Sequence, residues 1–215
     1  MYFWGGLVKH SALLLAAASA LFAASAHAQV AGFYLGGSFG QSRAKIDDES
    51  LFAGLTHGSV TKDESDAGYK LYAGYRVNQN FAIEGGYANL GEVSASTTVT
   101  AVNGVPVPPQ NLRVKWTTSD GLFLAALIGA PVASTGSVYA KIGVYTMKLE
   151  AKAQASGSAS DSETGQNLLF GLGAQYDFAQ HVGARIEWER FKDVGGDNVG
   201  KGDFDLFSIG ILYRF

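Results

Sequence analysis

The sequence contains no cysteine, only four prolines, and charged residues at 16% of its 215 positions. Without cysteine, the chain has neither disulfide bonds nor thiol chemistry. Beyond the N-terminal region, the longest apolar stretch runs from Gly121 to Ala133 and is interrupted by Pro131. It is shorter than the about 20 residues that a membrane-spanning helix needs. These absences exclude a disulfide framework and a helical inner-membrane protein, and no basic patch suggests nucleic acid.

The N-terminal region has the pattern of an export signal. Lys9 and His10 precede an apolar stretch from Ala12 to Ala24, and the small residues of Ser25–Ala28 follow. We expect residues 1–28 to be a signal peptide cleaved after Ala28, with an uncleaved transmembrane helix as the alternative. The remaining residues 29–215 form one domain by length, with 15 basic and 19 acidic residues and a net charge of −4.

The C-terminal residues alternate with a period of two. Apolar side chains occur at Phe207, Ile209, Ile211, Tyr213 and Phe215, which predicts a β-strand with one apolar face. An outer-membrane barrel ends in this way, because its last strand pairs with the first and exposes an apolar face to lipid. We interpret Ile209, Ile211, Tyr213 and Phe215 as a C-terminal assembly signal, recognised by the barrel-assembly machinery.

Segments of about ten residues recur between turn signals and predict eight strands. They are residues 32–40, 67–77, 81–90, 116–128, 138–149, 167–178, 182–191 and 205–215. Eight is an even number, as single-chain bacterial barrels require, and about ten tilted residues cross a membrane. The fold class that we predict is all-β, an eight-stranded antiparallel up-and-down transmembrane β-barrel.

The connections between these segments alternate in length. Asn78–Asn80, Gly129–Ser137 and Ala179–His181 are short, whereas residues 41–66, 91–115, 150–166 and 192–204 are long. Short periplasmic turns and long extracellular loops are typical of outer-membrane barrels, so we expect both termini in the periplasm.

Two of the long connections carry a further signal. In the second, Asn103-Gly104 predicts a tight turn that joins residues 94–102 and 105–116 in a hairpin projecting beyond the membrane. Its three prolines, Pro106, Pro108 and Pro109, are expected to be irregular at the hairpin edge. The third connection is small and polar, and we expect it to be mobile.

Charged residues recur on only one face of the predicted strands. Lys70 and Arg76 share one face of strand two, and Arg185, Glu187 and Glu189 share one face of strand seven. Strand four, GLFLAALIG, has no clean alternation, so its faces stay unassigned. Alternation does not say which face is inside, and a soluble barrel would reverse the assignment. The signal peptide, the aromatic C-terminus and the alternating connection lengths favour the membrane.

An eight-stranded barrel has an interior just wide enough for side chains, so charges placed there must pair. We predict a lumenal charge network whose candidate members are Glu84, Lys141, Arg185, Glu187, Lys70 and Arg76. Its role would be to plug the barrel and fix the strand register. A gated ion path is the alternative.

Three segments resemble the OmpA-type transmembrane domain. Gly68–Gly91 resembles its second and third strands, Glu163–Phe191 its sixth and seventh, and Ser208–Phe215 its closing strand. The resemblance implies a lumenal cluster in which Glu84 is the acidic member of strand three and Arg185 the basic member of strand seven. A glutamate position of the family falls on Gln175, and a lysine position falls near Leu127.

The resemblance also implies a class of function. OmpA proteins often carry a second, periplasmic domain that binds peptidoglycan, and we expect that activity to be absent because the chain ends at Phe215. The closer kin would be barrel-only proteins of the porin family or the OmpX/Ail-like type, which act in adhesion, serum resistance and envelope integrity.

Candidates for chemistry are few. Lipid A hydrolases of this size use a histidine, a serine and a carboxylate near the outer rim. In this sequence only His57 falls in a long connection, and no carboxylate partner for it can be identified. His181 falls in a short turn. The acidic residues of the long connections lack the spacing of a calcium loop, so we predict no metal, no cofactor and no catalytic residue. Those acidic residues are Asp47–Glu49, Asp63, Glu64, Asp193 and Asp197.

The sequence thus predicts a monomeric, non-enzymatic protein of the bacterial outer membrane. It would contribute to envelope integrity and make surface contacts through four extracellular loops. Its partners would be outer-membrane lipids, lipopolysaccharide and a possible extracellular ligand. A narrow pore for small solutes or hydrophobic molecules is the alternative, and a lipid A hydrolase is a third hypothesis.

Overall fold

The computed structural model describes residues 31–45, 55–57, 61–118, 121–154, 158–196 and 200–215. The predicted signal peptide, Asp47–Glu49 and Asp197 lie outside these residues. The described part contains twelve strands: β1 (Gly32–Lys45), β2 (Leu55–His57), β3 (Thr61–Asp63), β4 (Ser65–Arg76), β5 (Phe81–Asn89), β6 (Glu92–Val102), β7 (Val105–Thr118), β8 (Gly121–Pro131), β9 (Gly136–Gln154), β10 (Ser158–Asp177), β11 (Val182–Gly196) and β12 (Gly200–Arg214).

Eight of these strands close into an antiparallel barrel in the order β1, β4, β5, β8, β9, β10, β11 and β12. Closure is made by β12 against β1, where Tyr34 pairs with Arg214 and Lys45 with Asp203. The predicted fold class is therefore confirmed. Within the described ranges, no helix is long and apolar enough to span a membrane.

One end of the barrel carries the short turns, as predicted. They comprise residues 78–80, 132–135 and 178–181. In the first, the Asn78 side chain accepts hydrogen bonds from the backbone N–H groups of Asn80 and Phe81, at 2.8 and 2.9 Å. An asparagine that bonds to the backbone two residues on closes a tight turn. We call this the short-turn end, and the opposite end, where β2, β3, β6 and β7 lie, the extended end.

At the extended end, strands replace much of what the sequence predicted as loops. The β9–β10 ladder continues to the pair Gln154–Ser158, so the prediction of a loop is wrong for residues 150–154 and 158–166. Similarly, β11 continues to Gly196 and β12 starts at Gly200. The reason is that a continuous ladder satisfies the backbone hydrogen bonds. None of the side chains at residues 161–166 of β10 is buried, so this segment does not need alternating apolar residues and its sequence does not indicate a strand.

The predicted hairpin of the second long connection is present as β6 and β7. Asn103 and Gly104 form its turn with φ values of +48° and +79°. Beyond the turn, a register shift between Val99 and Ala101 accommodates the proline-rich part of β7, as expected for an irregular edge. The outer edge of β7 pairs with β9 through residues 113–118, and β2 and β3 pair with β6, so the hairpin extends the barrel wall.

One strand boundary was predicted wrongly. Strand four was expected to start at Trp116, but Trp116 belongs to β7 and β8 starts at Gly121. Trp116 pairs with Val93 of β6 and is buried, because the hairpin has its own inward face. A continuous stretch of strand-forming residues in the sequence therefore covers two strands.

The exposed faces of the barrel strands are apolar along a band next to the short-turn end. In β12, Ile209 and Ile211 are exposed at 69% and 65%, whereas Ser208 and Leu212 are buried. The structure also assigns the faces of β8: Leu122, Leu124 and Ile128 point outward, and Phe123, Ala125 and Leu127 point inward. The prediction that a membrane barrel has its apolar side chains outside and its charged side chains inside is therefore confirmed.

Candidate functional site

The barrel interior holds six charged side chains in mutual contact. Lys141 of β9 lies at the centre, and its Nζ donates to Glu84 Oε1 at 2.7 Å, Glu187 Oε1 at 2.9 Å and Glu189 Oε1 at 2.9 Å. On one side, Lys70 of β4 pairs with Glu187 at 2.7 Å and also with Glu189. On the other side, Arg185 Nη1 donates to Glu84 Oε2 at 2.6 Å. We call these six residues the charge network.

The network balances its charges in a dry environment. Lys70, Lys141 and Arg185 supply three positive charges, and Glu84, Glu187 and Glu189 supply three negative charges. The side chains of all six residues are at most 1% exposed. Burying a charge is unfavourable by several kcal/mol unless it is paired and hydrogen-bonded. The strand register satisfies that condition, because it brings β4, β5, β9 and β11 to one level of the interior.

The sequence named five of these residues together with Arg76, which the structure places apart. Among the described residues, Arg76 makes no ion pair with the three glutamates, and its buried Nε has no hydrogen-bond partner. The prediction missed Glu189 as a member of the network. Glu189 shares a face of β11 with Arg185 and Glu187, so the period-two pattern could have included it.

Three tyrosines surround the guanidinium of Arg185. Its Cζ lies 5.1 Å from the ring centre of Tyr34, 5.0 Å from that of Tyr72 and 5.3 Å from that of Tyr139. Tyr34 also donates a hydrogen bond to Glu84 at 3.0 Å, and Tyr139 donates one to Glu187 at 2.8 Å. All three rings therefore stabilise the cation, and the hydroxyl groups of Tyr34 and Tyr139 also stabilise the carboxylates. The period-two pattern of the sequence did not predict this aromatic cage.

Glycines on neighbouring strands make the space for these rings. Tyr34 lies over Gly74, Tyr72 over Gly36, and Tyr139 over Gly173, each being its direct partner in the ladder. A Cβ atom on Gly74 would lie 2.2 Å from the Tyr34 ring, and one on Gly173 would lie 2.4 Å from the Tyr139 ring. Glycine is thus required at these positions, because the side chain of any other residue would clash with the tyrosine ring.

Gln175 and Leu127 are the two positions at which the resemblance implied a glutamate and, nearby, a lysine. In the structure, Gln175 Oε1 accepts a hydrogen bond from Arg185 Nε at 3.1 Å. Leu127 is buried and pairs in the ladder with Lys141 of β9. The central cation of the network, Lys141, therefore lies on the strand next to Leu127.

An apolar layer covers the charge network on the side of the extended end. Its side chains are buried completely or to within 1%: Leu90, Met147, Leu169, Phe191 and Leu206. Trp116 and Leu149 belong to the same core. The interior thus changes along the barrel axis from ionic to apolar, and side chains fill it at both levels.

Ion pairs also occur on the outer surface at the extended end. Arg190 donates two hydrogen bonds to Asp205, both of 2.6 Å, and Lys192 donates one of 2.7 Å to Asp203. Burial alone would raise the pKa of Asp203, but the hydrogen bonds from Lys192 and from the backbone of Asp193 outweigh it. The pKa of this carboxyl is therefore below its usual value.

Of the two histidines beyond the predicted signal peptide, only His181 has a side chain in the described part. The backbone of His57 lies in β2 and pairs with Val99, while its side chain lies outside the described part. His181 Nδ1 contacts the backbone oxygen of Arg214 at 2.9 Å, and its ring stacks on Tyr213. No group of three or more potential metal ligands occurs in the part of the chain that the structure describes.

The residues interpreted as an assembly signal lie together on one outward face. Ile209, Ile211, Tyr213 and Phe215 are exposed at 69%, 65%, 48% and 75%. The Phe215 backbone N–H donates to the oxygen of Phe33 at 3.0 Å, which completes the closing seam.

Comparison with known proteins places this architecture in a family. Residues 12–215 match the outer membrane protein β-barrel domain. Outer membrane protein A of Yersinia pseudotuberculosis is 31% identical over 97% of the chain, and that of Shigella flexneri is 28% identical over the same share. In both cases the match covers 56% of the relative, so the chain spans about half of these proteins.

Solved structures agree on the fold. The crystal structure of Ail, the attachment invasion locus protein of Yersinia pestis, in complex with the heparin analogue sucrose octasulfate, covers 87% of the chain. The match includes all of the Ail chain, with a TM-score of 0.51 and 16% identity. Neisserial surface protein A has a TM-score of 0.50 over 87% of the chain and all of its own length, also with 16% identity.

Proposed function

Since the chain belongs to the outer membrane protein β-barrel domain family, we propose that it is a non-conducting, non-enzymatic barrel that reinforces the envelope and makes surface contacts. The barrel resides in the bacterial outer membrane. Its extended end would face the cell exterior and its short-turn end the periplasm. Outer-membrane barrels have short periplasmic turns and longer extracellular segments, which supports this orientation.

The filled interior is the observation that carries the proposal. A conducting barrel needs a continuous water-filled path, whereas an eight-stranded barrel encloses little more than its own side chains. Here the charge network would lie at the level of the membrane, and each of its side chains is at most 1% exposed. The layer of Leu90, Met147, Leu169, Phe191 and Leu206 covers it. Both levels would have to open together for an ion to pass.

The non-conducting state can be tested in planar bilayers. We expect the refolded barrel to give no steady channels. The Glu84→Gln variant, which leaves Lys141 and Arg185 with fewer counter-charges, serves as the perturbed comparison, and Lys148→Gln on the outer surface is the matched control. Steady wild-type channels whose conductance changes in Glu84→Gln but not in Lys148→Gln would overturn the proposal and favour the pore.

The orientation and the surface role can be tested on intact cells. External protease should cut the extended end, for example in the β6–β7 hairpin, and spare the short turns. Deleting residues 94–113 should remove the cutting site while the barrel stays folded. Loss of cell attachment in that deletion, with unchanged outer-membrane permeability to a large antibiotic, would assign the contacts to the hairpin. Protection of the hairpin in intact cells, with cutting only in lysed cells, would reverse the orientation.

The absence of enzymatic activity also has a direct test. If His57 served a lipid A hydrolase, overexpression should shift the mass spectrum of lipid A, and His57→Ala should abolish the shift. We expect identical lipid A spectra with and without the protein.

A further inference from the structure

Two arginines point into the barrel at the short-turn end. Arg76 ends β4 and Arg214 ends β12, and β1 lies between these two strands. Both arginines continue the inward faces of their strands, on which Tyr72 and Leu212 are buried. The Nε atoms of both arginines are buried and have no hydrogen-bond partner in the part of the chain that the structure describes. This end of the interior therefore holds two cations beyond those of the charge network.

Arg76 differs from Arg214 in lacking a carboxylate partner among the described residues. Arg214 Nη2 lies 2.7 Å from Asp177 Oδ1, which also accepts a hydrogen bond from Gln175 Nε2 at 2.8 Å. Arg76 makes no ion pair within the described ranges. The charges of Arg185 and Arg214 repel it, and Asp177 attracts it without contacting it. Because Arg76 is half-buried, an additional anion beside it would stabilise its charge.

A small pocket lies directly beside Arg76. It has a volume of about 20 Å³, which is roughly the room of one water-sized group. Its polar groups come from Arg76, Asn80, Ser137 and Tyr139, and its apolar walls from Ala82 and Leu127. The hydroxyl group of Tyr139 donates to Glu187, and the amide of Asn80 donates to the backbone oxygen of Gly129. The Arg76 guanidinium and the Ser137 hydroxyl are therefore the donors left for a ligand.

We propose that Arg76 and this pocket form a binding site for one small oxyanion, such as phosphate, that enters the barrel at the short-turn end. One oxygen of the anion would lie in the pocket, and the guanidinium would hold the anion through charge-assisted hydrogen bonds. Water would satisfy these hydrogen bonds but not the charge, so charge complementarity selects an anion. The pocket is lined by inward-facing side chains, so the ligand is a dissolved anion rather than a lipid headgroup. In the orientation proposed above, it comes from the periplasm.

Nuclear magnetic resonance of the refolded barrel in zwitterionic micelles tests the site directly. The probe is inorganic phosphate, exchanged against chloride at constant ionic strength. The readouts are the Nε–H signal of Arg76 and the backbone amide signals of Asn80 and Ser137. We expect these signals to shift saturably with phosphate. The Nε–H signal of Arg190, which is bonded to Asp205 on the outer surface, should stay unchanged.

Matched variants locate the effect. Arg76→Gln should weaken phosphate binding by about tenfold or more, read from the amide signal of Asn80, because it removes the charged donor. Arg43→Gln is the control, since it removes the same charge from an exposed residue at the extended end and should leave binding unchanged. Ser137→Val keeps Arg76 but removes the hydroxyl group and fills the pocket. It should also weaken binding, and it tests the site if Arg76→Gln folds poorly.

Four results would overturn the inference. The first is equal shifts with phosphate and chloride, which would mean an effect of salt alone. The second is the absence of any saturable shift, which would mean that water satisfies Arg76. The third is equal weakening in Arg43→Gln and Arg76→Gln, which would mean diffuse attraction. The fourth is the same shift without phosphate in nanodiscs containing phosphatidylglycerol, which would make a lipid headgroup the ligand.

The proposed function is tested separately from this site. Conductance and protease cutting in intact cells do not depend on phosphate binding at Arg76. Failure of the oxyanion site would therefore leave the proposed function standing, and failure of the proposed function would leave the binding measurement unchanged.

Discussion

At the scale of single residues, the interior is specified by pairs that lie on different strands. Arg185 contacts Glu84, which is 101 positions away in the chain, and Lys141 contacts glutamates of both β5 and β11. Such contacts fix the strands relative to one another, because a one-residue slip would move every charge to the lipid face. The charge network therefore acts as a register lock as well as a plug.

Removing Arg185 should therefore destabilise the barrel. In Arg185→Ala, Glu84 keeps only Lys141 as a cationic partner, and breaking a buried pair typically costs ~3–5 kcal/mol. Urea-induced unfolding in lipid vesicles would measure the loss, with the exposed Lys148→Ala as the control. An unchanged free energy of unfolding in Arg185→Ala would mean that the network does not stabilise the fold.

The glycines under the tyrosine rings lead to a second prediction. Gly173→Ala would place a Cβ atom 2.4 Å from the buried ring of Tyr139. Overpacking of this kind usually costs ~1–3 kcal/mol. Combining Gly173→Ala with Tyr139→Ala should make the two effects less than additive, because the ring that clashes is gone. Strict additivity in the same unfolding measurement would contradict the close approach.

At the scale of elements, the β6–β7 hairpin shows how local sequence can act over a distance. Asn103-Gly104 adopts the left-handed conformation that a two-residue hairpin turn requires. The strands that it aligns then carry the wall from β3 on one side to β9 on the other. The sequence thus predicts the turn, and the turn aligns the two strands that extend the barrel wall. The pairing of these strands with β3 and β9 is not predicted by the sequence.

Gly104→Ala tests this turn cleanly. An added Cβ atom would meet nothing within 4 Å, so its only effect is the strain of φ at +79°. The expected cost is ~1–2 kcal/mol, confined to the hairpin. Hydrogen exchange should accelerate in β6 and β7 and stay unchanged in β12. In contrast, Gly136→Ala, in an ordinary backbone conformation, should leave the hairpin unaffected.

At the scale of the whole molecule, the barrel has two zones of opposite polarity. Near the short-turn end, charges are inside and apolar side chains outside, as a membrane requires. At the extended end, Phe191 and Leu206 are inside, while Arg190 and Asp205 form an ion pair on the outward face. The boundary between the zones falls within single strands such as β12. One part of such a strand therefore faces lipid, and the other part faces water.

The apolar band can be tested by placing a charge at its centre. Ile211→Arg should destabilise the folded barrel in a bilayer by ~2–4 kcal/mol, because its side chain faces lipid near the midplane. The same charge at Val132, in a short turn at the membrane edge, should cost only ~0–1 kcal/mol. Equal costs at the two positions, measured by unfolding in vesicles, would mean that the band does not face lipid.

The sequence alone determined the number of barrel strands, the short turns and the outward face of β12, because period-two alternation and turn residues are local. It also indicated which charges face inward. The tertiary structure decided which charges meet: Glu189 joins the network and Arg76 does not. It assigned the faces of β8, moved Trp116 into β7, and extended β9 and β10 through a polar segment. These features depend on register across strands and on which solvent each face meets, and neither is encoded in the spacing of neighbouring residues.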